Sequence, residues 1–308
     1  MLKTVEAALA ALSIPATPEG LYAPIRYALE GGGKRIRPLL TLTAYNLYRA
    51  DVEAALPAAT ALEIYHNHTL LHDDLMDNAD VRRGRPAVHK KWDANTAVLS
   101  GDTMLILAFR ELLRLSPVHT YPALELLSRS MQEVCEGQQR DMDFERREDV
   151  TEAEYIEMVR QKTAVLLACA LQLGALVADA PAADQSQLYR FGERLGLAFQ
   201  LQDDYLDCYG DPSVFGKALG GDIRSGKKTF MLINAMQRAD AAQREALRSH
   251  DVPAVLGVYA ALRIPALCLE RIDGLFSEAR ALYESLPVAD SRKRPLWDIA
   301  EQMMGRKK

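Results

Sequence analysis

Leu70-Leu71-His72-Asp73-Asp74-Leu75-Met76-Asp77 is the stretch on which the fold reading turns, because it sets three aspartates into apolar sequence. The same Asp-Asp-x-x-Asp pattern returns as Asp203-Asp204-Tyr205-Leu206-Asp207, after Leu197, Phe199 and Leu201. At average aspartate usage, two copies by chance in a chain of this length have odds of roughly one in a thousand. Residues i and i+4 lie one above the other on a helix. Asp73 and Asp77 therefore share a face, as do Asp203 and Asp207. Aspartate suits helix interiors poorly, so three of them mid-helix call for a compensating cation. With only oxygen ligands on offer the cation is a hard one. Mg²⁺ fits best, because it keeps waters and completes its shell with phosphate oxygens.

Outward from these clusters the sequence reads as helix. Ala, Leu, Glu, Gln and Arg dominate, and apolar residues recur at spacings of three and four, as in Leu188, Phe191, Leu195 and Phe199. Alternating runs of Val, Ile, Thr and aromatics are nearly absent, which argues against a sheet. Gly31-Gly32-Gly33 closes an early helix, Pro117 and Pro122 separate two long ones, and Thr151 to Glu154 form a capping box. No long Ser/Gly linker and no 20–50-residue repeat divides the chain. The expectation is an all-α fold over residues 1–308: one domain, a single large bundle of about ten to twelve mostly antiparallel helices.

Composition agrees. The chain has 308 residues, 37 Lys+Arg against 42 Asp+Glu, a net charge of −5, and 49% apolar residues. That is globular and mildly acidic, which argues against a nucleic-acid partner. Cys135, Cys169, Cys208 and Cys268 are too dispersed for a zinc ribbon or a disulfide scaffold and read as reduced thiols of a cytoplasmic protein. The N-terminal apolar run is interrupted by Glu6 and ended by Pro15, so it makes a poor signal peptide. Thr163–Ala178, the longest weakly polar stretch, falls short of the roughly 20 residues of a bilayer span. No stable membrane insertion is expected.

Positive charge gathers beside the acidic clusters. Gly33-Lys34-Arg35-Ile36-Arg37-Pro38 follows the glycine triplet, and Arg82-Arg83-Gly84-Arg85 follows the first aspartates. Lys162-Thr163 stands within a helical run, and Gly216-Lys217 and Gly226-Lys227-Lys228 follow the second cluster. Arg forks and Lys point charges bind phosphate oxygens, and glycine lets backbone approach a ligand closely. Acidic clusters ringed by bases suggest a substrate with two diphosphates rather than one. Of the histidines, His66 is a candidate phosphate donor and His72 is expected to support the metal carboxylates, while zinc spacing is absent. There is no Walker loop, no GxGxxG after a strand and no GxSxG elbow.

These motifs, together with Ser100-Gly101-Asp102, Gly137-Gln138 and Phe199-Gln200, occur in an order that resembles the trans-isoprenyl diphosphate synthases, or polyprenyl synthetases. The resemblance runs from about residue 20 to about 235, and residues 236–308 carry no motif. It implies a helical bundle around a central prenyl cavity and a homodimer. It also implies three Mg²⁺ held between two aspartate-rich helices, and the joining of isopentenyl diphosphate to a dimethylallyl, geranyl or farnesyl diphosphate. By that resemblance Asp73, Asp77 and Asp203 hold magnesium, assisted by Asp74, Asp204 and Asp207. Arg82, Lys162, Lys217 and Lys227 grip the allylic diphosphate, and Thr163 and Gln200 line its site. Lys34, Arg37, His66 and Arg83 bind isopentenyl diphosphate. Thr69 and His68, four and five residues before Asp73, form the floor of the elongation pocket, with Tyr65 a turn deeper. His68 is intermediate in size, so a C20 geranylgeranyl product is favoured, with C15, C25 or longer left open. Two other readings stand beside this one: a regulatory subunit of a heteromeric synthase, and a class I terpene cyclase. The second Asp-Asp-x-x-Asp and the bases Lys34 and Arg37 oppose the cyclase.

Overall fold

The computed structural model describes residues 1–211 and 219–305. Its α-helices are α1 (Leu2–Ala10), α2 (Glu19–Glu30), α3 (Ile36–Asn46), α4 (Leu56–Met76), α5 (Val88–Lys91), α6 (Ala94–Leu112), α7 (Pro117–Phe144) and α8 (Glu152–Val159). They continue as α9 (Val165–Val177), α10 (Ala182–Tyr209), α11 (Gly221–Ser225), α12 (Phe230–Arg238), α13 (Ala241–Arg248), α14 (Val252–Ala261), α15 (Ile264–Glu284) and α16 (Asp290–Met304). The all-α expectation holds, and several of the extra helices are one- or two-turn pieces. A π-helical turn, Arg160–Ala164, joins α8 to α9.

Local chemistry explains most boundaries. The Thr151 hydroxyl accepts from the Glu154 N–H at 3.2 Å, and Glu154 accepts from the Thr151 N–H at 2.9 Å, so the expected capping box starts α8. A second box, Asp240 with Gln243, starts α13. Pro253 and Pro265 fall in the first turns of α14 and α15, where a missing N–H costs nothing. Pro122 does not end a helix as the sequence suggested: it lies near the start of α7, which begins at Pro117.

The one sheet among the described residues is a two-stranded hairpin of β1 (Val81–Arg82) and β2 (Arg85–Pro86), with Arg82 opposite Arg85. Its tip is Arg83 at φ 53° and Gly84 at φ 75°. Positive φ at both central residues is the twist that a two-residue hairpin needs.

Packing groups the chain into two compact units, Met1–Leu127 with Ala170–Gln185, and Ser128–Cys169 with Ser186–Lys308. In the first, α4 lies against α3 and α6, and Ile25, Leu40, Leu42, Leu62, Ile64, Tyr65 and Met104 are buried. Burying each such side chain contributes about 1.5–3 kcal/mol. Gly101 of α6 sets the closeness of α4, since a Cβ there would collide with the His72 imidazole. In the second unit the core joins Tyr155, Leu197, Leu201, Phe230, Tyr259, Ile264, Cys268 and Leu275. Residues beyond 236, silent as sequence, thus supply α13 to α16 and much of this core. Trp297 of α16 stacks on Phe276 of α15 at 5.1 Å. No single helix among the described residues is long and apolar enough to cross a membrane.

Candidate active site

Both aspartate clusters stand in the last turns of long helices, not mid-helix as the sequence suggested. Asp73 and Asp74 belong to the final turn of α4 and Asp77 is its C-cap, while Asp203 to Asp207 end α10. A helix C-terminus carries partial negative charge. Carboxylates placed there repel that end as well as one another, so the need for a cation is greater than in mid-helix.

Within each cluster the three aspartates have different surroundings. Asp74 is buried, and Arg82 Nε donates to its Oδ1 at 2.9 Å while Nη2 donates to the same carboxylate. Burial works against the Arg82 charge, but Asp74, Asp73 and Asp77 raise its pKa above the usual arginine value. Asp73 is half-buried and Asp77 exposed. In the second unit Asp204 is buried, accepting from the Tyr155 hydroxyl and from Gln200 Nε2 at 2.9 Å. Burial pushes its carboxyl upward, against the pull of Lys227. Asp207 accepts the Asp222 N–H at 3.0 Å and so tethers the start of α11. Asp203 is half-buried.

Five of the anticipated residues line one cavity of the second unit: Lys162, Thr163, Gln200, Asp204 and Lys227. Thr163 Oγ1 donates to Gln200 Oε1 at 3.1 Å, and Gln200 passes the chain on to Asp204 and Tyr155. Lys162 and Thr163 sit in the π turn, a distortion common at functional sites. The sequence reading missed three residues here. Asp141 of α7 accepts from Lys162 Nζ at 2.6 Å, Tyr155 holds Asp204, and Asp222 lies 3.9 Å from Lys227 Nζ. Burial opposes the Lys227 charge, but Asp204, Asp222, Asp141 and Asp203 hold its pKa above the ordinary lysine value. Met158 and Val159 make the apolar part of the wall.

In the first unit, Arg37 Nη1 donates to His66 Nε2 at 3.1 Å. Burial and then the charges of Arg37, Arg83, Arg82 and Arg35 keep the His66 imidazole neutral, far below its usual pKa. Arg83 donates to the Gly32 carbonyl from the hairpin tip, and a Cβ on Gly33 would meet its guanidinium at 2.8 Å. Lys34 is exposed beside them. Lys217 lies outside the described residues.

Thr69 lies one turn before Asp73 on the same face. His68 is turned toward α6, where its Nδ1 donates to the Gly101 carbonyl at 2.9 Å, with the Tyr65 ring tilted against it at 5.5 Å and the His72 ring edge-on at 4.5 Å. Burial, then the neighbouring His72, lowers its pKa to about 4. His72 also faces α6, donating to the Val98 carbonyl at 3.3 Å, so it does not support the metal carboxylates as the sequence suggested.

The donor chemistry fits magnesium. Among the described residues no three His, Cys, Asp or Glu side chains converge into a complete ligand set. Asp73 and Asp77 in the first unit, and Asp203 in the second, each offer hard oxygens on positions that are not buried, a donor type that suits an ion that retains water and borrows phosphate oxygens.

Comparison with known proteins agrees with this chemistry. The family profile described as polyprenyl synthetase matches residues 18–251. The chain is 44% identical over 236 residues to a geranylgeranyl diphosphate synthase of Methanosarcina mazei, covering 76% of this chain and 73% of that protein. It is 41% identical over 254 residues to a geranylfarnesyl diphosphate synthase of Natronomonas pharaonis, covering 76% and 73%. A crystal structure of a geranylgeranyl pyrophosphate synthase superposes with TM-score 0.91 at 42% identity, covering 100% of this chain and 97% of that one.

Proposed function

The chain belongs to the polyprenyl synthetase family, and we propose that it is a magnesium-dependent prenyltransferase that condenses isopentenyl diphosphate with an allylic diphosphate, head to tail, into a short all-trans prenyl diphosphate. The observation that carries this reading is the joining of Lys162, Thr163, Gln200, Asp204 and Lys227 around one cavity. Cations, hydroxyl and amide there suit a leaving diphosphate, and Met158 and Val159 suit the carbon chain attached to it.

Lys162, Lys227 and Arg82 hold the allylic diphosphate as its C–O bond ionises, where fixed positive charge is worth most. Mg²⁺, held by Asp73, Asp77 and Asp203, would supply the remaining charge neutralisation of the leaving group. Asp74 and Asp204 act one step back, since Asp74 aims Arg82 and Asp204 anchors Gln200 and, through it, Thr163. Apolar wall residues keep water from the allylic cation. Lys34, Arg37, His66 and Arg83 hold isopentenyl diphosphate, whose double bond attacks that cation; the released diphosphate takes the proton. Geranylgeranyl diphosphate is the favoured product. Two features support it over a shorter product: small Thr69 on the Asp73 face, and relatives named for C20 and C25 synthesis.

Inorganic pyrophosphate release separates this reading from a cyclase. Release should require Mg²⁺, an allylic diphosphate and isopentenyl diphosphate together. Equal release from the allylic substrate alone would overturn it.

The active form is proposed to be a cytoplasmic homodimer. Leu99, Ile106 and Leu113 recur every seven residues on α6 and just beyond its end, all strongly exposed, with Val118 and Tyr121 following at the start of α7. Such a row of exposed apolar side chains suits a second copy of the chain. Sedimentation should give twice the 34.2 kDa chain mass for the native protein and a monomer for Ile106→Lys. A monomeric native protein would contradict the proposal.

A further inference from the structure

Between Lys34 and Arg37 stands an arginine that solvent barely reaches. Arg35 is 3% exposed and is the residue preceding α3, with φ 48°. For a residue with a Cβ this left-handed conformation is strained, so something must hold it. Arg35 Nη2 donates to the Leu29 carbonyl at 2.7 Å, near the end of α2. Its Nη1 donates to Glu63 Oε1 at 2.7 Å and its Nε to Glu6 Oε1 at 2.8 Å. One planar fork thus ties α1, α2 and α4 to the junction between Lys34 and the first turn of α3, where Arg37 stands.

Glu63 is only 1% exposed and is itself held, with Asn67 Nδ2 donating to its side chain at 3.1 Å. A buried ion pair is a poor device for stability alone, because well-packed apolar residues of the same size do as well or better. The neighbourhood shows what else it does. Glu63 is a negative charge that acts on Arg37 and Arg83 as well as on Arg35, and so offsets the repulsion of three clustered guanidinium groups. Arg37 has few restraints of its own: His66 takes Nη1, while its Nε is buried without a hydrogen-bond partner among the described residues. The direction in which Arg37 reaches is therefore set by the backbone that Arg35 fixes two residues earlier.

We infer that Arg35, clamped by Glu63 and Glu6, is a positioning residue that fixes the turn carrying Lys34 and the first turn of α3 carrying Arg37, and thereby sets affinity for the diphosphate of the isopentenyl substrate without touching it. This rests on the assignment of Lys34 and Arg37 to isopentenyl diphosphate made above. Arg35 and Glu63 are not ligands of either substrate.

The test replaces the pair together. Arg35→Met with Glu63→Leu removes one positive and one negative charge, so the local net charge is unchanged, and any loss of binding reports lost placement. The double variant should melt within a few degrees of the native protein, as apolar replacements of buried pairs do. KM for isopentenyl diphosphate should rise about tenfold, with kcat and KM for the allylic diphosphate within about twofold. Arg35→Lys, which keeps the charge but loses the fork, should give a smaller rise, again for isopentenyl diphosphate alone. An unchanged KM for isopentenyl diphosphate, or an equal rise for both substrates, overturns the inference. If the double variant does not fold, Arg35→Lys decides by the same criterion. A native protein that fails to consume isopentenyl diphosphate sinks the functional reading instead, so the two failures are told apart.

Discussion

Asp73→Ala is expected to lower kcat/KM by about a thousandfold while leaving the protein as stable as before, or slightly more so. The two effects have one origin. Asp73 sits in the last turn of α4, close to Asp77, where the helix dipole is negative. Removing its carboxylate relieves repulsion there by about 0.3–1 kcal/mol, Ala is the better helix former, and together these offset the lost attraction to Arg82. The same carboxylate is a proposed metal ligand, and losing a metal or oxyanion contact at a leaving diphosphate costs about 3–4 kcal/mol of transition-state stabilisation. A residue with a purely structural role gives the opposite pattern, with lower stability and nearly normal turnover. Thermal melts and steady-state rates on one preparation check it. Normal turnover in Asp73→Ala would remove Asp73 from the metal site.

Gly137→Ala should damage stability and activity together. A Cβ at Gly137 of α7 would run into the Lys162 backbone N–H and approach Gln161 C and Lys162 Cα at 2.8 Å. These are backbone atoms of the π turn and cannot rotate aside. Overpacking of this kind costs about 1–3 kcal/mol. Relaxation also has to move Lys162 and Thr163, and a displacement near 1 Å at a positioning group costs about a hundredfold in rate. Urea denaturation should show a lower midpoint with an unchanged slope, and kcat/KM should fall about a hundredfold. An Ala variant with native stability and native rate would mean that the π turn has room to yield.

The architecture was legible because its signals are local. Apolar spacing, the Thr151 capping box and the glycine triplet each depend on a few neighbouring residues, and the structure keeps all three. The β1–β2 hairpin was not legible, because its tip is Arg83-Gly84 rather than the Asn-Gly or Asp-Gly that ordinarily marks such a turn. It is nevertheless the element that carries Arg82 and Arg83. The π turn at Lys162-Thr163 was invisible for a different reason. It lies closely packed against Gly137, twenty-five residues earlier, and nothing in the sequence near Lys162 announces it.

For the site, residue type and order picked out the charged groups but not their division of labour. Asp-Asp-x-x-Asp makes the three aspartates look alike. Burial separates them: Asp74 and Asp204 are sealed by Arg82 and Tyr155, while Asp73 and Asp203 remain accessible. Tyr155, Asp141 and Glu63 were missed because each acts through a tertiary partner, and none belongs to a spaced motif. His68 and His72 stand next to the first cluster in sequence, but the helical turn points them at Gly101 and Val98 of α6.

The central claim is that this chain transfers an allylic group to isopentenyl diphosphate. The most direct measurement incubates the purified protein with Mg²⁺, labelled isopentenyl diphosphate and, separately, C5, C10 and C15 allylic diphosphates, and reads chain length by chromatography after dephosphorylation. The account predicts magnesium-dependent labelled prenyl products that converge on C20 whichever primer is supplied, and none when the metal is chelated. A folded protein that incorporates no label with any of the three primers would contradict it.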